Sequence, residues 1–298
     1  MAEGDTPTVA RRRVRLAIRE ARDAAGLTQG QVAEAMEWSP SKVIRIENGE
    51  VSISPNDLRP LLTHLGVKDR AAVNELVAAA RIARQRQRQA WYQKPELREH
   101  MSDALRHLIE YEAEATEIRN YSTHYVPGPI QTPEYAEALT GSHDELDQEQ
   151  IKAVLEARIH RRAAILPRLG TSVQFYCLLD ESVFRRPTGG KEVFAGQLRE
   201  LHRLATQQSI HIRMLPFDLQ YPIANNATYD LLSLSDGANS EVLYRENGIS
   251  DEVIEDRAVV TRHRQRFDQL WQIADSESDT IGFMKDRIAT LENTILDH

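Results

Sequence analysis

The sequence predicts a mainly α-helical protein with a smaller α+β part: a five-helix amino-terminal domain, then a domain with a small mixed sheet flanked by helices. Three observations predict this. Short stretches of helical periodicity, each bounded by start and stop residues, fill residues 10–80, and strand-like runs appear only in the second half of the chain. The charge is also divided. Residues 1–94 hold 16 Lys and Arg against 11 Asp and Glu, while residues 95–298 hold 21 against 34, so a net charge of −8 hides a basic head on an acidic body. A basic head of this kind points to a polyanionic partner.

Taken in order, Val14, Ala17, Ile18, Ala21 and Ala25 fall at helical spacing and Gly26 ends the first helix. Thr28 with Gln31 makes a capping box for a short second helix whose inner face is Val32, Ala33 and Met36. Ser39-Pro40 caps and opens a third, with Val43 and Ile46 inward and Asn48-Gly49 as its stop. Ser54-Pro55 repeats that start before Leu58, Leu61, Leu62 and Leu65, and Gly66 closes the fourth; Val73, Leu76, Val77 and Ala80 mark a fifth. The tight turn between the second and third helices describes a helix-turn-helix. With Val43 and Ile46 facing the core, Pro40, Ser41, Lys42 and Arg45 turn outward.

The stretch LTQGQVAEAMEWSPSKVIRIENG, residues 27–49, resembles the Cro/repressor-like (xenobiotic-response-element type) helix-turn-helix family. The resemblance implies binding to double-stranded DNA, with Pro40, Ser41 and Arg45 at base edges, Gln29, Ser39, Lys42 and Asn48 at the backbone, and Arg22 with Glu47 as a structural ion pair. The physics agrees: a helix amino terminus favours phosphate, and arginine reads guanine through a bidentate fork. The sequence departs from the family in one place: Glu37 stands where the turn usually has glycine at positive φ, at a cost on the order of 1 kcal/mol.

Residues 81–94, RIARQRQRQAWYQK, carry five basic residues and no acid. Arg84, Arg86 and Arg88 are candidate additional phosphate contacts, and Trp91 and Tyr92 either anchor that extension or pack on the next domain. The domain reading is 10–80 for the helix-turn-helix, 81–100 for a basic linker or helix extension, and 101–298 for an α+β partner- or ligand-sensing domain.

In that body, DALRHLIEYEAEATEIRNY (103–121) reads as a helix through Leu105, Leu108, Ile109, Glu112 and Ala115. Pro127-Gly128-Pro129 makes a turn, and Thr132-Pro133 opens another helix. VQFYCLL (173–179) reads as a buried strand, 192–207 as a helix with Phe194, Leu198, Leu201 and Leu204 inward, and Ile210, Ile212 and Met214 as a strand parallel to the first. Residues 229–234 and 242–244 suggest a hairpin, and 251–274 a long helix. A last helix, capped by Ser278, carries Ile281, Met284, Ile288, Leu291 and Ile295 at alternating spacings of three and four, which suits a short dimer seam or ordinary packing on its own body.

The segments EYEAEATEIRNYSTHYVPGPIQTPEYAEAL, LLDESVFRR, IHIRMLPF and VLYRE resemble the uncharacterised domain that follows this helix-turn-helix in many actinobacterial regulators. Some members are described as antitoxin-like regulators that work with a small partner protein. Pro129-Ile130 stands where that family commonly has paired leucines.

An enzyme or nucleotide-binding module with a DNA-binding head is the rival reading. Asp180, Glu181, Arg185, Arg186, Gly189, Gly190 and Glu246 at strand ends suit acid–base work or an anion, or simply cap, turn and pair. No phosphate loop, nucleophile elbow or metal-spaced histidines occur in the sequence, and His211 reads as an ordinary strand residue. One cysteine, Cys177, permits no internal disulfide and suits a reducing compartment. The expectation is a cytoplasmic, homodimeric transcriptional regulator with no catalytic residues, no metal, no cofactor and no membrane span.

Overall fold

A computed structural model describes residues 7–84, 91–141, 147–221, 228–234, 241–246 and 250–296. The chain divides into two compact units, the first ending at Gln89 and the second starting at Ala90.

The first unit holds α1 (Pro7–Ala24), α2 (Gln29–Ala35), α3 (Pro40–Glu47), α4 (Pro55–His64) and α5 (Arg70–Ala83). Its helix starts are set by side-chain caps. Thr28 accepts from the Gln31 amide in a full capping box, Ser39 from Lys42, Ser54 from Asp57, and Asp69 from Ala71 and Ala72. Each cap satisfies amide groups that the first turn leaves without partners. Val14, Ile18, Val32, Ala33, Val43, Ile46 and the leucines of α4 share one core with α5. The first helix starts earlier than the periodicity suggested and buries Val9 and Ala10, whereas Ala25 lies past its end and is exposed. Glu37, in the turn between α2 and α3, holds φ at +56°.

The second unit begins with a 3-10 turn at Trp91–Gln93, then α6 (Pro95–Arg98), α7 (Asp103–Glu114), β1 (Ala115–Ser122), α8 (Pro133–Thr140), α9 (Gln148–Ile165), β2 (Gln174–Asp180), α10 (Glu181–Arg185) and α11 (Lys191–Thr206). After these come β3 (His211–Leu215), β4 (Tyr229–Leu234), β5 (Glu241–Glu246), β6 (Asp251–Ile254), α12 (Arg257–Ile273) and α13 (Glu277–Leu296). The six strands lie in the order β3-β2-β1-β4-β5-β6; β1, β2 and β3 run parallel, and β4, β5 and β6 add antiparallel. Alternation along β2 builds both faces. Phe175, Cys177 and Leu179 join the core covered by α11 and α13, while Leu178 joins Tyr121, Leu231 and Leu243 under Val260, Phe267 and Leu270 of α12.

Three expectations need correction. The stretch 103–121 is not one helix. It leaves the helix at Ala115, whose ψ is +137°, and becomes β1, where Thr116, Ile118 and Tyr121 are β-forming side chains and Ile118 and Tyr121 enter the cores on opposite faces of the sheet. The stretch 251–274 begins as the edge strand β6, and α12 starts only after the Asp256 cap. The cap of α13 is Ser276, which accepts from the Asp279 amide, not Ser278. Of the two readings of the α13 stripe, packing on the chain's own body accounts for four of its five residues, Ile281, Met284, Ile288 and Leu291. Met284 and Leu291 are buried in the main core, and Ile281 and Ile288 pack against it. Trp91 and Tyr92 also pack within the second unit, where Trp91 stacks on His160 at 4.8 Å.

Candidate nucleic-acid interface

The helix-turn-helix is locked from within by one carboxylate. Glu47, 5% exposed in the last turn of α3, accepts from Arg22 Nε at 2.7 Å, Arg22 Nη2 at 3.1 Å and Gln29 Nε2 at 2.9 Å. Arg22 Nη1 donates to the Leu27 carbonyl at 2.9 Å and lies 2.7 Å from Asp23 Oδ1. The hydrogen bond to Glu47 is the main cause that raises the Arg22 pKa. One interaction therefore ties the end of α1, the start of α2 and the end of α3, fixing the angle at which α3 is offered. The Gln29 side chain is spent inside this network, at the amino end of α2.

On the outer face, Pro40, Ser41, Ile44 and Arg45 are exposed. Arg45 Nε lies 3.3 Å from Glu50 Oε2 with both side chains roughly half exposed. Such a pair is worth about 0–1 kcal/mol, so the guanidinium is cheap to release. Lys42 Nζ sits 3.8 Å above the Trp38 ring and 3.4 Å from Asp57 Oδ2. Ser39 uses its oxygen as the α3 cap, and Asn48 Nδ2 donates to Glu50 at 3.3 Å. Arg84 is the exposed C-cap of α5; Arg86 and Arg88 fall outside the described residues.

Two residues of this surface escaped the sequence reading. Ile44 is 40% exposed, four residues after Pro40 and three after Ser41, so helical spacing alone puts it on the outward face. Its apolar character hid it among Val43 and Ile46, yet an apolar side chain there suits a thymine methyl. Trp38 holds Lys42 over its ring, a cation–π contact that no spacing rule announces.

The strand-end polar groups of the second unit mostly serve structure. Asp180 caps α10, and Glu181 pairs with Arg185 and accepts the Phe217 amide at 2.7 Å. Gly189 and Gly190 take positive φ, +78° and +90°, in the turn before α11. His211 stacks on Tyr176 and sits 3.3 Å from Glu277. Burial pushes the Cys177 thiol up, so it is a poor nucleophile. Among the described residues no cluster of His, Cys, Asp or Glu is placed to hold a metal ion, and no helix is long and apolar enough to cross a membrane.

Residues 105–286 match the family model of a domain of unknown function, DUF5753. The chain belongs to this family. In this DUF5753 protein the match runs from α7 into α13 and takes in the whole six-stranded sheet. Residues 14–76 match a helix-turn-helix domain, which spans most of α1 to α5 and supports a DNA-binding regulator. No curated protein and no solved structure matches the chain.

Proposed function

We propose that this DUF5753 protein is a sequence-specific, cytoplasmic transcriptional regulator that binds double-stranded DNA as a homodimer. Its second unit receives a small partner protein or a ligand, as in an antitoxin-like regulator. The observation that carries the reading is the face of α3: Pro40, Ser41, Ile44 and Arg45 stand exposed on a helix whose orientation is fixed by the Arg22–Glu47–Gln29 network. Pro40, Ser41 and Arg45 are assigned to base edges, and Gln29, Ser39, Lys42 and Asn48 to the DNA backbone. Arg84, Arg86 and Arg88 would add phosphate contacts along the linker of residues 81–100. Dimerisation is proposed because paired helix-turn-helix units read half-sites about one DNA turn apart.

A mobility-shift titration on the promoter of the protein's own gene tests this. Tight, sequence-selective binding that weakens with salt is expected, and replacing Arg84, Arg86 and Arg88 by Gln should flatten the salt slope by up to ~0.9 per lost contact. Binding with no preference over random DNA would overturn the assignment.

A further inference from the structure

The sheet face that carries the main core changes character toward one end. Ile118, Leu232 and Val242 form an apolar row across β1, β4 and β5. Two residues along each strand, on the same face, Asn120, Asp230 and Tyr244 take their places. The next row outward holds Ser122, Thr228 and Glu246, with Asp251 of β6 opposite Glu246. A cavity of about 130 Å3 lies between this polar end and α9, which contributes Arg158 and Arg161; Pro127 and Gly128 form part of the wall. For scale, an engineered cavity of about 150 Å3 takes up benzene.

The polar groups at the cavity are not satisfied by one another. Asn120 is 2% exposed and donates through Nδ2 to Asp230 Oδ1 at 2.7 Å, which leaves its Oδ1 buried with no partner among the described residues. Thr228 Oγ1 is likewise buried without a partner. Arg161 is accounted for: it makes a two-pronged ion pair with Glu112, at 3.0 and 2.6 Å. Arg158 is not. It donates to the neutral Gln131 at 2.7 Å, its Nε is buried without a partner, and it pairs with no carboxylate among the described residues. Burial, then the neighbouring Arg161, pushes its pKa down to about 10. Of the acids, Glu246 accepts from the Tyr125 hydroxyl and Asp251 acts on the Tyr244 hydroxyl, and neither pairs with a cation among the described residues. A guanidinium and a set of carboxylates thus face the same space without closing on each other. Buried charges left this way are costly unless something brings the opposite charge to each.

We propose that this cavity binds a small zwitterion, whose ammonium group is taken by Asp230, Asn120 Oδ1 and Glu246 and whose carboxylate is taken by Arg158. Asn120 presents an acceptor, the group an ammonium needs, because its donor end is already used. Arg158 offers Nε and a second terminal nitrogen, the edge that grips a carboxylate. The proposal concerns the ligand of the sensing unit named above, and only its effect on DNA rests on the regulator reading.

Proton linkage gives the site a signature. Burial raises Asp230 to about 6 and, with Asp251 beside it, Glu246 to about 7. The charged and titratable groups around them are Asp251, Tyr244 and Tyr125 on the sheet side, Arg158 and Arg161 on α9, and Glu112 on α7 behind Arg161. An ammonium displaces the protons these acids hold in the free protein, so binding releases protons and strengthens as pH rises from about 5.5 to about 8.

Calorimetric titration of the full-length protein with L-serine, γ-aminobutyrate and 5-aminovalerate tests this, with n-butylamine and butyrate as controls of single charge. At least one zwitterion should bind at least tenfold more tightly than either control and release protons at neutral pH. Arg158→Met and Asp230→Asn should each weaken it tenfold or more, with melting curves taken to verify that each variant folds; if one does not, the other decides. No binding by any zwitterion up to about 10 mM, butyrate binding as tightly as the zwitterions, or binding that strengthens at low pH would each overturn the proposal. Zwitterion binding with unchanged operator affinity would leave the site standing and overturn its regulatory use. Operator binding without zwitterion binding would do the reverse.

Discussion

Replacing Arg22 with leucine should unlock the first unit. The change removes both charge-assisted hydrogen bonds to Glu47 and the donor to the Leu27 carbonyl. Glu47 then keeps Gln29 as its remaining hydrogen-bond donor, with a side chain only 3% exposed. Breaking a buried pair from one side costs about 3–5 kcal/mol. Here Arg22 keeps 12% exposure, so water can approach one flank and the lower end applies. A cost of about 3 kcal/mol corresponds to a fall in melting temperature on the order of 15–20 °C for a unit of this size. Hydrogen exchange of the α3 amides in the full chain reads the local opening energy directly. The cycle is completed by Glu47→Leu and the double variant, which should cost less than either single change because no buried charge is left alone. A coupling energy below about 0.5 kcal/mol would mean a solvated surface contact, and the account of how α3 is held would be wrong.

Other consequences are equally open to measurement. Arg45→Ala should weaken operator binding by about 1–3 kcal/mol while changing random-sequence binding less, and equal losses would make it a phosphate contact. Glu37→Gly should stabilise the first unit by about 0.5–1 kcal/mol, since glycine holds φ near +56° without the Cβ clash; a loss in hydrogen-exchange protection would refute strain there. Asp230 and Glu246 bind protons more tightly folded than unfolded, so between about pH 4 and pH 7 they make stability fall as pH rises; Asp230→Asn should raise the melting temperature more at pH 8 than at pH 5, and a uniform shift would contradict this. Deleting residues 277–298 strips Met284 and Leu291 from the main core, and at about 2–5 kcal/mol per large side chain the second unit should become molten; a cooperative, unchanged melt of that unit would refute the packing role.

The first unit was legible because its signals are local. The starts of α2, α3 and α4 sit beside a Thr or Ser whose side chain reaches an amide three residues away, and α1, α3 and α4 stop beside Gly26, Asn48-Gly49 and Gly66. The second unit hides its joints. Between Glu114 and Ala115 there is no glycine, no proline and no drop in helix-forming residues, yet the chain changes from helix to central strand. What decides it is pairing: β1 lies between β2 and β4, and those partners come more than fifty residues later in the chain. The edge strand β6 hides for a different reason: it pairs with the neighbouring β5, but at four residues, DEVI, it is too short for its alternation to stand out from the helix that follows. The stripe on α13 shows a third kind of ambiguity. Spacing fixes which residues share a face, but the surface that covers the face is set by tertiary structure.

The polar end of the sheet follows from the same logic. Read along the chain, Asn120, Asp230, Tyr244 and Glu246 stand among other polar residues of their strands, such as Glu117, Arg119, Ser233 and Arg245, and nothing local sets them apart. Only the register brings them together, since Asn120 faces Asp230, Asp230 faces Tyr244, and Glu246 faces Asp251. Parity then puts them all on the face that α9 covers. Alternation with apolar residues on the opposite face would have allowed polar side chains to point at solvent, as antiparallel sheets commonly do. Here both faces are covered, one by α12 and the other by α7, α9, α11 and α13, so solvent exposure does not explain the polar rows. A covered face that keeps Asp, Asn, Thr and Glu where leucine would fill the space forgoes packing energy of about 1.5–3 kcal/mol per side chain. Caps and turns account for the acids at Asp180 and Glu181, but no such local task falls to Asp230 or to Asn120 Oδ1, and a ligand with complementary charge at both ends gives the row a reason to exist.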